Sequence, residues 1–174
     1  MNLQPTLENE LLILRPLKES DFELLYEIAK DPLIWEQHPS FDRYQKAVYS
    51  VFFKNAIASK GALIVIEKST QKIIGSTRFE PIQGTKNAIE IGWSFLSRDY
   101  WGRSFNKSMK TLMINHAFET ITDVILYVDQ DNIRSQKAVR KIGGVRITEA
   151  KYKHLLNTSE TEWTYRIDKE SWQK

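Results

Sequence analysis

YWGRSFNKSMK, residues 100–110, predicts a tight turn that runs into a helix. Its single glycine, Gly102, lets the backbone come close to a ligand, and Asn106 is a candidate cap for the helix. The start of a helix has unpaired N–H groups and a positive dipole end, and Arg98 and Arg103 add charge. The turn therefore predicts a site for phosphate or diphosphate. A capped helix with two solvated arginines is the alternative.

The segments beside this turn predict a strand before it, and a strand and a helix after it. AIEIGWSFLS (88–97) alternates like a β-strand, and DVILYV (123–128) is a continuous apolar run typical of a strand buried on both faces. Helical spacing is predicted from Asn106 onward and again over 133–142, where two glycines end the helix. In the alternating strand, Ile89, Ile91, Trp93 and Phe95 are predicted on one face, and Ala88, Glu90, Gly92 and Ser94 on the other.

The remaining segments complete an order of β-α-α-β-β-β-α-β-α-β-β. One helix is predicted from Phe22 to the residue before Asp31, and a second over 43–59 with Asp42 as its N-cap. The other predicted strands cover 11–17, 62–68, 72–82, 145–152 and 162–168. Repeats, low-complexity stretches and long linkers are absent from the sequence, which predicts one domain over residues 1–174.

Composition limits the classes of function. The chain of 174 residues has 25 Lys+Arg against 22 Asp+Glu, a net charge of +3 that suits an acidic small molecule but is too mild to favour nucleic acid. It has no cysteine, which excludes disulfides, thiolate metal sites and a cysteine nucleophile. The sequence does not begin like a signal peptide, and no window approaches the roughly 18 apolar residues of a membrane span. We therefore expect a cytoplasmic protein without membrane contact.

Two motifs and the order of elements together resemble a known family. The turn WGRSFN and the run N-I-R-S-x-x-A-x-x-K-x-G, residues 132–143, are similar to those of the GCN5-related N-acetyltransferases (GNAT), in particular the RimJ/RimL-like branch. That branch includes acetylases of ribosomal-protein N-termini and of small amines. The resemblance spans essentially the whole chain. It implies an α/β (α+β) fold with a mixed, mostly antiparallel sheet of six to seven strands, flanked by about four helices.

The resemblance also implies acetyl-CoA as the co-substrate. Its pyrophosphate is expected in the turn, and its pantetheine arm along the preceding strand. By position, Phe95, Leu96 and Ser97 are expected to line the arm; Arg98, Gly102, Arg103, Ser104, Phe105 and Asn106 to form the phosphate turn; and Asn132 and Ser135 to lie near the pantetheine and the thiol. The family usually has a second glycine where this chain has Ser104, and a small residue where it has Asn106.

Acetyl transfer to an amine needs a proton acceptor and a stabilised thiolate. Glu90, in the middle of the alternating strand, is the candidate base, directly or through a water relay, and its burial would raise its pKa. A solvated glutamate, or one paired with Arg78, is the alternative. The tyrosine acid common in the family is replaced here by Val139, so Ser135 is the candidate proton donor and Asn132 is placed with it in the catalytic set. Asn132 can equally cap the helix.

The acceptor is expected between the first two helices and the sheet, with Trp35, His38, Arg78 and Trp93 as its walls and Phe41 as a further candidate. The predicted function is N-acetyl transfer to a primary amine, of a protein or peptide N-terminus or of a small molecule, by direct transfer in a ternary complex. A catalytically weak or inactive acyl-CoA-binding regulatory module is the alternative. No metal site is expected, and the chain is expected to be a monomer or homodimer.

Overall fold

Eight strands form a single sheet in the computed structural model, which describes residues 1–172. The strands are β1 (Leu7–Glu8), β2 (Leu12–Pro16), β3 (Ala62–Glu67), β4 (Ile73–Pro81), β5 (Ala88–Leu96), β6 (Asp123–Asp129), β7 (Val145–Arg146) and β8 (Glu162–Asp168). The helices are α1 (Phe22–Ala29), α2 (Lys46–Ala58), α3 (Phe105–Ala117), α4 (Ile133–Lys141) and the short α5 (Lys169–Trp172).

The strand order is β1-β2-β3-β4-β5-β6-β8-β7, and every neighbouring pair is antiparallel except β5 and β6. The predicted mixed, mostly antiparallel sheet with flanking helices is therefore confirmed. The sheet has eight strands rather than six to seven, because the two-residue strand β1, which was not predicted, is added at one end. So short a strand carries no alternation from which a sequence pattern could predict it.

The parallel pair β5 and β6 opens toward its carboxyl ends. The two strands are paired only where Ala88–Glu90 lies beside Asp123–Ile125. β5 then continues to Leu96 and β6 to Asp129 without pairing to each other. The sheet thus has a gap between these two strand halves, and polar backbone groups line both sides of it.

A β-bulge at Trp93 redirects the second half of β5. Arg78 pairs with Gly92 and Ser76 with Phe95, so that Trp93 and Ser94 both lie opposite one residue of β4. Trp93 takes a positive φ of 50°, a conformation that is rare for a large side chain.

Because of the bulge, the side chains of β5 are distributed over the two faces of the sheet differently from the prediction. Ile89 and Ile91 pack with α3 in one apolar core, whereas Phe95 belongs to the core on the other face of the sheet. The prediction that these three side chains share a face was wrong, because the extra residue at the bulge inverts the alternation beyond Gly92.

The sheet is covered by a core on each face. Met109 and Met113 of α3 are fully buried against one face, while Leu25 of α1 and Tyr49 and Phe53 of α2 are buried against the other. The apolar side of each helix provides these contacts. The two cores fix the strands between which the gap lies.

Two predicted segments differ from the structure. Asp42 does not cap α2; it lies in a 3-10 turn, Phe41–Tyr44, and the extended Gln45 separates that turn from the helix. The guanidinium of Arg43 lies 4.5 Å above the ring of Phe52, a contact that the separate turn allows.

The strand predicted over 145–152 ends at Arg146. A 3-10 helix, Ala150–Leu155, follows, and Leu155 is buried against the sheet with Ile125 and Ile147. The hydroxyl of Tyr127 donates to the backbone oxygen of Leu155 at 2.9 Å. This segment is therefore buried over the sheet and does not continue as a paired strand. Within the part of the chain described, no helix is long and apolar enough to cross a membrane.

Candidate active site

The turn before α3 has the geometry of an anion site. Gly102 has φ +72°, a left-handed conformation in which a side chain is strained. Ser104 is the N-cap residue of α3 but makes no side-chain cap bond, so Asn106 is not the cap that was predicted. The helix begins one residue earlier than expected. Within residues 1–172, the N–H groups of Phe105, Asn106 and Lys107 have no hydrogen-bond acceptor. Three donors at the positive end of a helix dipole therefore face outward.

A groove of about 840 Å³ runs from this turn along α4 to the end of β5. Five cationic side chains line it, and we call it the basic groove: Arg103, Lys107, Arg134, Lys137 and Lys141. Among the described residues that line it, none carries a carboxylate. The groove is therefore suited to a ligand with several negative charges.

Most of the residues predicted to bind a cofactor do line the basic groove: Phe95, Leu96, Gly102, Arg103, Ser104, Asn106, Asn132 and Ser135. Three others do not. Arg98 forms an ion pair with Asp31, Phe105 packs edge-on against Tyr100 at 4.8 Å, and Ser97 lies outside the lining. Their assignment as binding residues stays a prediction from the resemblance.

Four of the groove cations were missed by sequence reasoning. Lys107 follows Arg103 by four residues, which places both on one side of α3. Arg134, Lys137 and Lys141 follow one another at intervals of three and four, so that they share a face of α4. This helical spacing was the signal that could have predicted a charged surface beside the turn.

The beginning of α4 is fixed by its cap and by a tie to the loop that follows α1. Asn132 is buried, and its side-chain oxygen accepts from the N–H of Ser135 at 3.0 Å, as the capping alternative predicted. The N–H of Arg134 donates to the side-chain oxygen of Gln37 at 3.0 Å, and its guanidinium donates to the backbone oxygen of Ile34 at 2.8 Å. The loop thereby closes one side of the basic groove.

The groove continues into a cavity of about 150 Å³ between the separated halves of β5 and β6, which we call the deep cavity. Residues that line both spaces include His38, Ser94, Asn106, Asn132 and Ser135. The deep cavity is further lined by Gly92, Trp93, Lys110, Tyr127, Asp129, Val139 and Glu162, among others. A ligand that lies in the groove can therefore extend one end into the gap in the sheet.

Glu90 lies just behind the wall of the deep cavity. It is not among the lining residues, whereas Gly92 is, and a Cβ at Gly92 would lie 2.8 Å from Oε1 of Glu90. Burial, helped by the charges of Glu162 and of Glu80, its partner across the strands, raises the pKa of Glu90 to about 8, although Arg78 and Lys110 act in the opposite direction. Only a small residue at position 92 leaves room for this carboxylate.

The alternative in which Glu90 pairs with Arg78 is not what the structure has. Nε of Arg78 lies 3.4 Å from Oε2 of Glu80, within ion-pair distance but without hydrogen-bond geometry. The guanidinium is buried and stacks on the ring of Trp93 at 3.5 Å, and this burial lowers the pKa of Arg78. Arg78 thus stabilises the bulge by packing against the side chain of Trp93.

Two ionisable residues of the deep cavity were missed by sequence reasoning. Lys110 of α3 is only 6% exposed, donates to the hydroxyl of Ser94 at 2.7 Å, and has a pKa lowered to about 7 by burial. Glu162 of β8 lies opposite Asp129 and accepts from the amide of Asn157 at 2.6 Å; burial and Asp129 raise its pKa. Lys110 could have been noticed because Met113, Ile114 and Ala117 continue its helical face as apolar residues.

Of the residues predicted to bind the acceptor, three line the deep cavity or the basic groove, and the other two line neither space. His38 and Trp93 line the deep cavity, and Trp35 lines the groove, with its indole N–H donating to the backbone oxygen of Ala29 at 2.7 Å. Burial lowers the pKa of His38 to about 4, so it is neutral at pH 7. Phe41 is 66% exposed and lines neither space. Residues 1–172 contain no group of three side chains suited to hold a metal ion.

A family model for the acetyltransferase (GNAT) domain matches residues 12–145. The chain belongs to the GNAT acetyltransferase family, as the resemblance predicted, and it is an acyltransferase. A relative in Bacillus licheniformis, the uncharacterized N-acetyltransferase p20, is 26% identical over 121 residues, which cover 67% of this chain and 67% of that protein.

Solved structures share the fold. A GCN5-related N-acetyltransferase from Brucella melitensis has a TM-score of 0.81 at 15% identity, over 98% of this chain and 81% of that one. A structure described as that of a candidate ribosomal-protein-serine acetyltransferase from Vibrio cholerae has a TM-score of 0.72 at 18% identity, over 97% of this chain and 99% of that one. At these identities the likeness establishes the fold.

Proposed function

We propose that this protein transfers an acetyl group from acetyl-CoA to a primary amine by direct attack in a ternary complex. One observation carries the proposal: a groove with five cations begins at the unpaired amides of α3 and ends in the gap between β5 and β6. A cationic groove that leads into a gap in the sheet suits a nucleotide thioester, whose phosphates are anionic and whose acyl end is slender. We further propose that residues 1–174 act as one domain, since all described strands belong to one sheet.

The residues of the groove fit the parts of coenzyme A. The amides of Phe105, Asn106 and Lys107 are placed to hold its diphosphate, and Gly102 allows the close approach. The replacement of the usual second glycine by Ser104 leaves these amides free. Exposed lysines on α4 are available for a further phosphate. Acetyl-CoA supplies an activated acyl carbon; the protein supplies orientation and proton transfer.

The amine acceptor is assigned to the deep cavity, beside the bulge at Trp93. Asp129 and Glu162 give this cavity two carboxylates that attract an ammonium group. Glu90, whose pKa is about 8, is a suitable proton acceptor near neutral pH, and it acts through a water because Gly92 separates it from the cavity. The cysteine-free chain has no thiol to carry the acetyl group, which supports direct transfer.

Two classes of amine remain in the proposal, peptide N-termini and small-molecule amines. The structural neighbour described as a candidate ribosomal-protein-serine acetyltransferase supports the first class and the RimJ/RimL-like branch. The narrow deep cavity, at about 150 Å³, supports acceptors that insert a single slender amine.

The experiment is an assay of free thiol released from acetyl-CoA in the presence of N-terminal peptides, polyamines, aminoglycosides and amino acids. At least one amine is expected to raise the release above the background without amine. Glu90→Gln and Ser135→Ala are expected to slow the release without abolishing CoA binding. Glu10→Gln is the matched control, because it makes the same change at an exposed glutamate far from the groove residues in the sequence.

Three outcomes decide against parts of this proposal. Absence of CoA binding would overturn the assignment of the basic groove. Tight CoA binding with no release above background for any amine would favour the regulatory acyl-CoA-binding module. Unchanged release in both Glu90→Gln and Ser135→Ala would reject these two residues as participants while leaving the reaction itself in place.

A further inference from the structure

The ammonium group of Lys110 is buried with more N–H donors than the described protein groups accept. Lys110 is 6% exposed on α3, among side chains that form the apolar core on that face, and it lines the deep cavity. Its one hydrogen-bond acceptor within residues 1–172 is the hydroxyl of Ser94 at 2.7 Å. An ammonium group has three N–H donors, so two remain for a ligand in the cavity. A methionine or leucine would fill the same space without the cost of burying a charge.

The other charged groups around Lys110 do not form a salt bridge with it. Asp129 of β6 and Glu162 of β8 line the same cavity, and Glu90 of β5 lies behind Gly92. Of these, Glu90 is close enough to influence the pKa of Lys110, which burial nevertheless lowers. His38, from the loop after α1, is neutral at pH 7. Among the described residues, Lys110 therefore has no bonded counter-ion, and its amino group lies in a cavity that the basic groove connects to the anion site.

We infer that Lys110 faces the sulfur of coenzyme A and delivers the proton that the sulfur needs when it leaves. The inference rests on the proposed function. The geometry that carries it is the position of Lys110 in the deep cavity, into which the basic groove continues, with its ammonium group bonded to Ser94. Asn132, Ser135 and Val139 line the same cavity, and Val139 cannot donate a proton.

The protons balance in the following steps. The amine nitrogen bonds to the acyl carbon, and the bond between that carbon and sulfur breaks, leaving the electron pair on sulfur. Lys110 gives a proton from Nζ to this sulfur and becomes neutral. Glu90 takes the proton that the amine nitrogen loses, through a water. Transfer of that proton from Glu90 to Lys110 restores both groups, and the products are an amide and a free thiol.

Lys110 is a better proton donor than the serine predicted from the sequence. An ordinary thiol has a pKa of about 8.5, and an aliphatic hydroxyl is a far weaker acid than that. With a pKa of about 7 in the free protein, Lys110 is close to the thiol in acidity, so its proton can pass to sulfur without a large free-energy cost. Ser135, with its N–H already bonded to Asn132, is then placed to orient the ligand.

The decisive measurement is the thiol pKa of bound CoA, followed by the ultraviolet absorbance of the thiolate, in the wild type and in Lys110→Met. A cation beside sulfur is expected to lower that pKa by about 1–3 units in the wild type. The shift is expected to be lost in Lys110→Met and kept in Lys54→Met, which makes the same change at an exposed position of α2. With an active amine, kcat of Lys110→Met is expected to fall about a hundredfold with little change in the KM for acetyl-CoA.

A second measurement uses the unaltered protein and avoids any question of folding. In protein with isotope-labelled lysine, CoA is expected to raise the pKa of Lys110, whereas desulfo-CoA is not, because coupling between the two groups is reciprocal. Equal thiol pKa values in the wild type and Lys110→Met would overturn the inference, as would an acetyl group found on Lys110 by peptide mass spectrometry. If no amine is acetylated but the thiol shift depends on Lys110, the proposed function fails and with it the proton delivery, whereas the assignment of Lys110 to the sulfur of CoA stands.

Discussion

At the scale of single residues, Glu90 is the side chain whose environment makes the clearest prediction about rate. Its pKa is raised to about 8 by burial and by Glu162. A base must be deprotonated to accept a proton, so the rate of acetylation is expected to rise as the pH approaches 8. Above that pH the rate is expected to fall again, because Lys110, with a pKa of about 7, must keep its proton to donate it. Glu90→Gln is expected to lower kcat about a hundredfold and to remove this rise. The check is the dependence of kcat on pH, and an equal rise in both proteins would assign the pH effect to another group.

At the scale of elements, alanine is expected to lower stability equally at two glycines, but only the one in the turn before α3 is expected to affect CoA binding. Gly102→Ala meets no atom within 4 Å, but φ of +72° strains it, so the free energy of unfolding is expected to fall by about 1 kcal/mol. Relief of that strain would move the turn and weaken CoA binding. Gly84→Ala is the matched control, because Gly84 has φ +83° and equally open space. Thermal unfolding should show similar losses in both; calorimetry should show weaker CoA binding only in Gly102→Ala.

The charged face of α4 gives a second prediction for an element. Replacing Lys137 and Lys141 with glutamate is expected to raise the KM for acetyl-CoA at least tenfold, equivalent to about 1.4 kcal/mol, because both line the basic groove. The effect should shrink at high salt. Lys54 and Lys86 are exposed, and their replacement with glutamate makes the same change of net charge elsewhere. Equal KM values in the two double variants would place the phosphates of CoA away from α4.

At the scale of the whole molecule, the sequence predicted features that depend on neighbouring residues of the chain. It did not predict features that depend on contacts between distant segments. The turn at Gly102 and the helix after it were predictable, because glycine and helical spacing act within a few residues. The bulge at Trp93 was not, since it exists only through the register of β4 against β5. The burial of Lys110 and the approach of Glu162 to the cavity likewise arise from packing between distant segments.

The free energy of unfolding is expected to depend on pH through two buried groups, Glu90 and Lys110. Glu90 has a pKa of about 8 in the folded protein against 4.5 unfolded, so its contribution is full below pH 4.5 and is lost as pH rises to 8. Lys110 acts in the opposite direction: its pKa is about 7 folded against 10.5 unfolded, so the unfolded chain binds more protons and stability rises from pH 7 to 10.5.

Variants at these two positions therefore separate the two effects. Relative to the wild type, Glu90→Gln is expected to gain stability steadily between pH 5 and pH 8, with a slope of up to about 1.4 kcal/mol per pH unit. Lys110→Met is expected to show its full gain at pH 7 and below, with a difference that shrinks toward pH 10, because a buried amino group that resists protonation has been replaced by an apolar chain. The measurement is urea unfolding at each pH. Curves that run parallel to the wild type would mean that these side chains are hydrated in the folded protein, and the electrostatic account of the cavity would then fail for both.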